Sequence, residues 1–365
     1  MRVLLALMLL LPQRHSVSPP GVVPVGPFSS GLMAGDTLYI SGQGARDAEG
    51  KLPPTFEAQT NQCLKNVQAV AQAAGLTMDH VVYTHAYLTD MANYAALNQV
   101  YATYFTGTLP ARSTMGVARM PLETPVEISA IAVRDLSSRK AVTLPDAISP
   151  VPLSPGIRTA DRFYMSGILG RDAGANTTPA TGSEQIAVCL SRIARVLSAA
   201  QLTGAHLLSL NVYRTAELPA SQTEQAFRQA FPDAALSLIE VSSLPFGVQV
   251  GVTGVATLNA AEKQVYRAGG QTVCAATATA VYCSTEAADT VGEALRTVDA
   301  RLRAMGTSLV QAVATNVYLN DIDIFQNMNA IYALQFATPY PARTTVQPQR
   351  TGFGAAVRIS VTAAR

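Results

Sequence analysis

The chain has 365 residues and a formal net charge of +2, and its charged residues, 14% of the total, form no Lys/Arg run. This balance, the absence of Trp and the low aromatic content argue against a nucleic-acid surface, which needs clustered cations and stacking rings. Hydrophobic residues make up 48%, which excludes a disordered chain and suffices for two or three domains with separate cores.

The N-terminus, MRVLLALMLLL, places one Arg before an apolar run at residues 3–11. Such a run has the length of the hydrophobic region of a signal peptide and is too short to span a bilayer. We therefore predict residues 1–20 to be a signal peptide or N-terminal extension, and the protein to be periplasmic or secreted. The alternative is a cytoplasmic protein in which this segment is a buried or frayed extension. No later segment is apolar enough to cross a membrane.

The next elements, in chain order, form a first unit at residues 21–138. It opens with the strand-like GDTLYISGQG and continues with the amphipathic helix pattern of AQTNQCLKNVQAVAQAAGL. A strand and second helix follow in THAYLTDMANYAALNQVYATYF, and a strand pair closes the unit in PARSTMGVARMPLETPVEISAIAV.

Two further copies of this order follow, at residues 148–260 and 263–365. The strand-plus-helix segment recurs as SLNVYRTAELPASQTEQAFRQAF and as TNVYLNDIDIFQNMNAIYALQF, with Tyr87, Tyr213 and Tyr318 at the same place. The strand openings ADRFYMSGILG and GQTVCAATAT match GDTLYISGQG, which places Ala276 and Thr277 opposite the Ser-Gly of the first unit. Repeats of this length indicate one fold built three times.

Each unit is predicted to be α+β, a mixed sheet with two helices on one face. The other face of each sheet must also be covered. Three units in one chain can cover one another around a pseudo-threefold axis, so we expect a monomeric pseudo-trimer.

Four cysteines are present, and no Cys/His grouping has metal-ligand spacing. Cys63 and Cys189 occur in matching helical segments and are predicted to be small buried residues. Cys274 and Cys283 flank two short strands and a turn, so a disulfide across that hairpin is predicted if the protein is exported.

The first unit resembles the Rid proteins (RidA type, also called the YjgF family) over nearly its whole length. GPFSSGLMAGDTLYISGQ is similar to the family's opening, LNQVYATYF to its second helix, and PARSTMGVARMPLETPVEISAIAV to its closing motif. The resemblance implies a chorismate-mutase-like fold, trimers with clefts between neighbouring subunits, and hydrolysis of 2-imino acids and their enamine tautomers to 2-keto acids and ammonia.

The resemblance also implies roles for residues of the first unit. Arg112 is expected to clamp a carboxylate, because its planar fork matches two carboxylate oxygens. Glu127 is expected to orient or activate the attacking water. Four further residues are expected to line the pocket, with Phe replacing the family's usual Tyr and Thr its common Cys: Phe28, Gly42, Asn98 and Thr114.

The other two units depart from this pattern. In the second, which is the more degenerate, Leu236 takes the Arg112 position and Gly251 the Glu127 position, although Ser166 and Gly167 remain. The third is partly degenerate. It keeps a match to the Arg and Asn but has Arg in place of the acid, which predicts a second anion site from Asn329, Arg343 and Arg358.

Our main hypothesis is hydrolysis of small imine or enamine carboxylates in a cleft that uses Arg112 and Glu127, with no metal or organic cofactor. The alternative is a non-catalytic exported protein that binds small carboxylates or other anions, because units two and three lack the acid. RNA cleavage, a third hypothesis, has little support from the near-neutral charge.

Overall fold

The computed structural model of the chain describes residues 14–144, 151–172, 174–349 and 354–365. The apolar run at residues 3–11, on which the export prediction rests, lies outside the described residues. Within these ranges, no helix is long and apolar enough to cross a membrane.

The described residues form three consecutive domains, and each domain is a six-stranded mixed sheet with two α-helices. The strands and helices of domain 1 are β1 Arg14–Val17, β2 Gly31–Ala34, β3 Thr37–Gly44, α1 Phe56–Ala73, β4 Val81–Leu88, α2 Tyr94–Tyr104, β5 Ala111–Gly116 and β6 Val126–Val133. Those of domain 2 are β7 Lys140–Val142, β8 Gly156–Arg158, β9 Arg162–Leu169, α3 Gly182–Ala199, β10 Leu207–Arg214, α4 Ala220–Ala230, β11 Ala235–Glu240 and β12 Val250–Thr257. Those of domain 3 are β13 Gln264–Ala268, β14 Gln271–Ala276, β15 Ala280–Ala288, α5 Val291–Ala304, β16 Ala312–Leu319, α6 Phe325–Gln335, β17 Ala342–Val346 and β18 Val357–Ala364.

The strand order of domain 1 is β1-β2-β3-β6-β4-β5, and the other two sheets repeat it. The pair β4 and β5 is parallel, because α2 carries the chain back between them, and the other pairs are antiparallel. The β5 strand is therefore an edge strand, and β6 lies near the centre of the sheet between β3 and β4.

Two edge strands extend the domains beyond the boundaries expected from the sequence. The β1 strand pairs with β2, so domain 1 already includes Arg14 rather than beginning at residue 21. The β7 strand pairs with β8, so domain 2 already includes Lys140 rather than beginning at residue 148. Both strands are only three or four residues long and lack a clear period-two pattern, which is why the sequence did not indicate them.

The first helix of each domain begins after a threonine whose hydroxyl oxygen accepts a bond from a backbone N–H of the first turn. These N-caps are Thr55, Thr181 and Thr290. The apolar face of each helix packs on its own sheet and makes one core per domain, for example from Cys63, Leu64, Val67 and Val70 of α1 with Ile128 of β6.

The opposite faces of the three sheets pack against one another. Tyr87, Tyr213 and Tyr318, together with residues such as Met115 and Ile239, form a buried cluster to which all three domains contribute. The faces left bare by the helices are thus covered by the other domains, as a pseudo-threefold arrangement requires.

A disulfide joins Cys274 of β14 to Cys283 of β15, at paired positions of the hairpin. Cys63 and Cys189 are free and buried. The described residues contain no cluster of three or more His, Cys, Asp or Glu that could hold a metal ion.

Candidate active clefts

Each domain presents its parallel edge strand to the third strand of the next domain, and this creates three clefts. In cleft 1–2, β5 meets β9, and the Arg112 N–H donates to Ser166 Oγ at 2.9 Å. In cleft 3–1, β17 meets β3, and the Arg343 N–H donates to Ser41 Oγ at 2.8 Å. In cleft 2–3, β11 meets β15, and the Thr285 N–H donates to Ser237 Oγ at 2.9 Å.

The sheet registers agree with the repeat positions assigned from the sequence. Glu127, Gly251 and Arg358 pair with Tyr87, Tyr213 and Tyr318 on the adjacent strand. In the same way, Arg112, Leu236 and Arg343 pair with Thr84, Leu210 and Thr315. Each set of three therefore occupies one structural position.

The predicted catalytic pair, Arg112 and Glu127, does not share a cleft. Arg112 lies on β5 and Glu127 on β6, on either side of β4, and their partners on β4 are three residues apart. Two strand spacings and three residues of strand separate their Cα atoms by about 14 Å. The Arg112 side chain contacts α2 of its own domain, whereas Glu127 alternates with Val126 and Ile128 of the helix-side core and faces the other way.

Glu127 instead lies in cleft 3–1, in which domain 3 supplies the arginine. A Cβ on Gly42 would come within 1.9 Å of Glu127 Oε1, so the carboxyl lies directly over the bulged backbone of β3. The guanidinium of Arg343 stacks on Phe28 of domain 1, 4.9 Å from the ring centroid. Cleft 3–1 thus brings Phe28, Gly42 and Glu127 together with Arg343.

Burial controls the electrostatics of this pair. Desolvation raises the pKa of Glu127 to about 8, although the nearby Arg343 opposes the rise. Desolvation also lowers the pKa of Arg343 to about 10, against the opposite effects of Tyr332 and Glu127. No nitrogen–oxygen distance between them falls within 4.0 Å, so they influence each other without forming an ion pair.

Polar groups next to Arg343 lack hydrogen-bond partners in the part of the chain that the structure describes. Asn329, on α6, is buried, and neither its Nδ2 nor its Oδ1 has a partner among these residues. The buried hydroxyl of Thr345 also has none among them. Thr345 follows Arg343 closely on β17. The Asn329 amide lies near the guanidinium, because a Cβ on Gly26 would lie 3.2 Å from Arg343 Nη2 and 3.3 Å from that amide. Buried polar groups without partners are expected where a ligand binds.

Cleft 1–2 holds the other half of the predicted site. Arg112 is 1% exposed, and its Nη2 donates to Asn98 Oδ1 at 2.5 Å. Its guanidinium stacks on Tyr101, 4.6 Å from the ring centroid. Arg112 and Thr114 line a cavity of about 270 Å³ together with Ser166 and Gly167 of domain 2. The acid position of this cleft is Gly251, so the cleft has the clamp without the acid.

Cleft 2–3 has neither arrangement. Leu236 replaces the arginine, and Arg358 occupies the acid position and donates to Leu238 O at 3.2 Å. Arg358 therefore does not join Asn329 and Arg343 in one anion site, because β16 separates its strand, β18, from β17. The sequence-based match of the Ser-Gly pair is also wrong. In the sheet registers, Cys283 of domain 3 occupies the position that Ile40 has in domain 1. Ser41 and Gly42 therefore correspond to Ser284 and Thr285, and not to Ala276 and Thr277.

Sequence reasoning missed the partnership of Glu127 with Arg343, although a signal for it was present. Sites between neighbouring subunits take their groups from different copies, so an intact site needs the arginine of one unit and the acid of another. The chain offers two arginines at the clamp position and one acid. The sequence also did not indicate that Ser41 and Ser166 link neighbouring domains. Each serine hydroxyl donates to a carbonyl of its own domain and accepts from the backbone N–H of the arginine in the other domain.

Comparisons with known proteins agree with a threefold repeat. The family profile described as Endoribonuclease L-PSP matches residues 20–134, 145–258 and 259–365. A RutC family protein of Aquifex aeolicus is 40% identical over 124 residues, which are 33% of this chain and 99% of the relative. The 2-iminobutanoate/2-iminopropanoate deaminase of Mus musculus is 41% identical over 112 residues, 30% of this chain and 83% of the relative.

The deaminase of the same name from Escherichia coli K12 is 39% identical over 114 residues, 30% of this chain and 89% of the relative. Among solved structures, the YjgF gene product of E. coli is 35% identical, with a TM-score of 0.32, over 33% of this chain and 98% of that one. Because the family profile covers most of the sequence in three consecutive matches, the chain belongs to the Endoribonuclease L-PSP family, also known as Rid/YjgF, and carries three tandem copies of its domain.

Proposed function

We propose that the chain hydrolyses small 2-imino acids, and the enamines that tautomerise to them, to 2-keto acids and ammonia, and that it does so in cleft 3–1. The observation that carries this proposal is the meeting of Glu127 with Arg343 in one buried cleft. Relatives about 40% identical to one third of the chain are named 2-iminobutanoate/2-iminopropanoate deaminases, which supports the reaction class.

Arg343 would hold the substrate carboxylate. Its aromatic neighbours Phe28, Phe325 and Tyr332 restrain the guanidinium, with centroid distances of 4.9, 5.6 and 4.9 Å. A restrained planar fork loses little freedom on binding and pairs two N–H donors with two carboxylate oxygens. The side-chain amide of Asn329 would form hydrogen bonds with the same ligand.

Glu127 would transfer the protons of the reaction. The substrate would enter with its imine nitrogen protonated. As water adds to the imine carbon, the Glu127 carboxylate takes one proton from that water, which gives a neutral carbinolamine. The carboxyl then returns this proton to the amino nitrogen, and the carboxylate takes the hydroxyl proton as the C–N bond breaks, the carbonyl forms and ammonia leaves. A pKa of about 8 suits a group that must both accept and donate a proton near neutral pH.

The test is release of pyruvate and ammonia from enzymatically generated 2-aminoacrylate by purified variants. Arg343→Ala and Glu127→Gln should each lower the rate by about 100-fold or more, because each removes a group that contacts the reacting molecule. Arg112→Ala is the matched control, since Arg112 has the same repeat position in a different cleft. It should keep a rate close to that of the unchanged protein.

Two outcomes would contradict the assignment. Loss of activity in Arg112→Ala with full activity in Arg343→Ala would place the reaction in cleft 1–2. Equal rates for the unchanged protein and for Glu127→Gln would mean that the acid has no part in the reaction.

The second candidate function is non-catalytic binding of small carboxylates. It is favoured because clefts 1–2 and 2–3 lack a carboxyl at the position of Glu127, where they have Gly251 and Arg358 instead. Thermal-shift measurements with 2-keto acids distinguish the candidates. Stabilisation by keto acids together with no turnover of 2-aminoacrylate would favour binding alone.

A further inference from the structure

We propose that a polar cavity at the junction of the three domains is a second ligand site, and that it binds a small neutral carboxamide. The cavity has a volume of about 130 Å³, and all three domains contribute to its lining. A molecule of liquid water takes about 30 Å³, so the space exceeds that of a single water. Binding here does not depend on the reaction assigned to cleft 3–1, because Glu127 does not line the cavity.

Polar side chains from one repeat position line the cavity. His85, Asn211 and Asn316 occupy this position, because each pairs across its own sheet with a hydroxyl residue, namely Ser129, Thr253 and Ser360. Nε2 of His85 is buried and has no partner among the described residues. Asparagine amides and hydroxyl groups each provide donors as well as acceptors. The lining therefore suits a ligand that also has both.

The space results from one bulky ring that is not repeated. Tyr83 of domain 1 corresponds to Ser209 and Ala314 in the other domains, because their cross-strand partners are Ile131, Val255 and Thr362. The Tyr83 hydroxyl lies 3.3 Å from Thr253 Oγ1 of domain 2, whereas the two smaller side chains leave room beside them. Three identical subunits would carry the same side chain at all three positions, so this unsymmetrical cavity is a consequence of the fusion.

A second repeat position gives the cavity an aromatic part. Tyr39, Tyr164 and Tyr282 line it, one from each domain, and they pair with the same three residues of the central strands as above. Their rings provide an apolar surface for the hydrocarbon part of a ligand. The cavity thus combines one apolar side with hydrogen-bonding groups.

The charges around the cavity favour a neutral ligand. No acidic residue is found among the described residues that line it. The guanidinium of Arg343 stacks on Phe28 in cleft 3–1, and Arg162, behind the tyrosines, is paired with Asp161 at 3.4 Å. Desolvation lowers the pKa of His85 to about 3, so its imidazole is neutral near pH 7. An ion would lose its hydration here without meeting an opposite charge.

The two asparagines favour a carboxamide among neutral ligands. A planar carboxamide presents an N–H donor and a carbonyl acceptor side by side, so it can form two complementary hydrogen bonds with one asparagine side chain. The hydroxyls of Ser129 and Ser209 also line the cavity and can donate to or accept from the remaining groups. A carboxylate of the same shape has no donor, which would leave acceptors of the lining unpaired.

Isothermal titration of the full chain with acetamide, acetate and acetamidinium tests this site, because the three probes share one shape and differ in charge. Acetamide should bind with a Kd below about 10 mM. Asn211→Leu removes the amide at similar volume and should weaken acetamide binding by about tenfold or more. Glu127→Gln is the control, since it changes cleft 3–1 and no residue that lines the cavity, and it should leave this affinity unchanged.

Acetate and a cavity-filling variant keep the test decisive. Any acetate that binds should do so at the arginines of the clefts, so Asn211→Leu should not change its affinity. Ser209→Tyr gives domain 2 the ring that Tyr83 provides in domain 1 and should abolish acetamide binding, which serves if Asn211→Leu fails to fold. The inference would be overturned by the absence of acetamide binding below about 10 mM, by full binding to Ser209→Tyr, or by equal weakening of acetamide and acetate in Asn211→Leu.

Discussion

Replacing Glu127 by Gln should make the stability of the protein less sensitive to alkaline pH. Glu127 is buried, and desolvation raises its pKa from 4.5 to about 8 in the folded protein. In the unfolded chain it would titrate near 4.5. Between these values the folded state holds a proton that the unfolded state has released, so rising pH favours unfolding. Gln mimics the protonated carboxyl and has no such cost.

The magnitude follows from the two pKa values. The stability contribution of the protonated carboxyl is fully present below pH 4.5 and is lost as pH rises toward about 8. Each pH unit in this window costs about 1.4 kcal/mol, which gives a total on the order of 5 kcal/mol above pH 8. Relative to Glu127→Gln, the unchanged protein should therefore lose stability steadily across the window and then reach a plateau.

Urea unfolding between pH 5 and pH 9 measures this difference. Glu49→Gln is the control, because Glu49 is an exposed loop residue and its replacement should change stability little at any pH. A difference between Glu127→Gln and the unchanged protein that stays constant with pH would refute the argument. It would mean that the carboxyl ionises in the folded protein as it does in the unfolded chain.

Two further predictions concern the backbone of cleft 3–1 and the disulfide. Gly42→Ala should lower deaminase activity by about 100-fold, because the new Cβ would lie 1.9 Å from Glu127 Oε1 and displace the carboxyl. Gly167→Ala is the control, since the atom nearest to its new Cβ would be 3.2 Å away and activity should persist. Steady-state rates on 2-aminoacrylate would compare the two variants, and similar losses would count against the geometry. Reduction of the Cys274–Cys283 disulfide, which spans 9 positions, should lower the unfolding free energy by about 2.5 kcal/mol. Urea midpoints with and without reductant measure this, and a Cys274→Ala/Cys283→Ala protein should not respond to reductant.

Local patterns in the sequence were enough to predict the domain fold. The helices follow from apolar spacing, and the three copies follow from recurring segments around Tyr87, Tyr213 and Tyr318. The short edge strands β1 and β7 could not be predicted, because their pairing depends on a neighbouring hairpin rather than on their own residues.

The chemical types at each repeat position were also readable from the sequence alone. It determined that two units keep the arginine, that one keeps the acid, and that Asn98 and Asn329 accompany the two arginines. These assignments survive in the structure because the register within each sheet is set locally by the alternation of buried residues.

Only the tertiary structure decided which arginine meets the acid. Each cleft forms where the edge strand of one domain docks on the third strand of another, so its two halves are distant in sequence. The Arg343 N–H bond to Ser41 spans 302 positions, and no local pattern encodes it. The order of the domains around their shared core places Glu127 opposite Arg343 and leaves Arg112 opposite Gly251, because packing of the three bare sheet faces joins the first domain to the last.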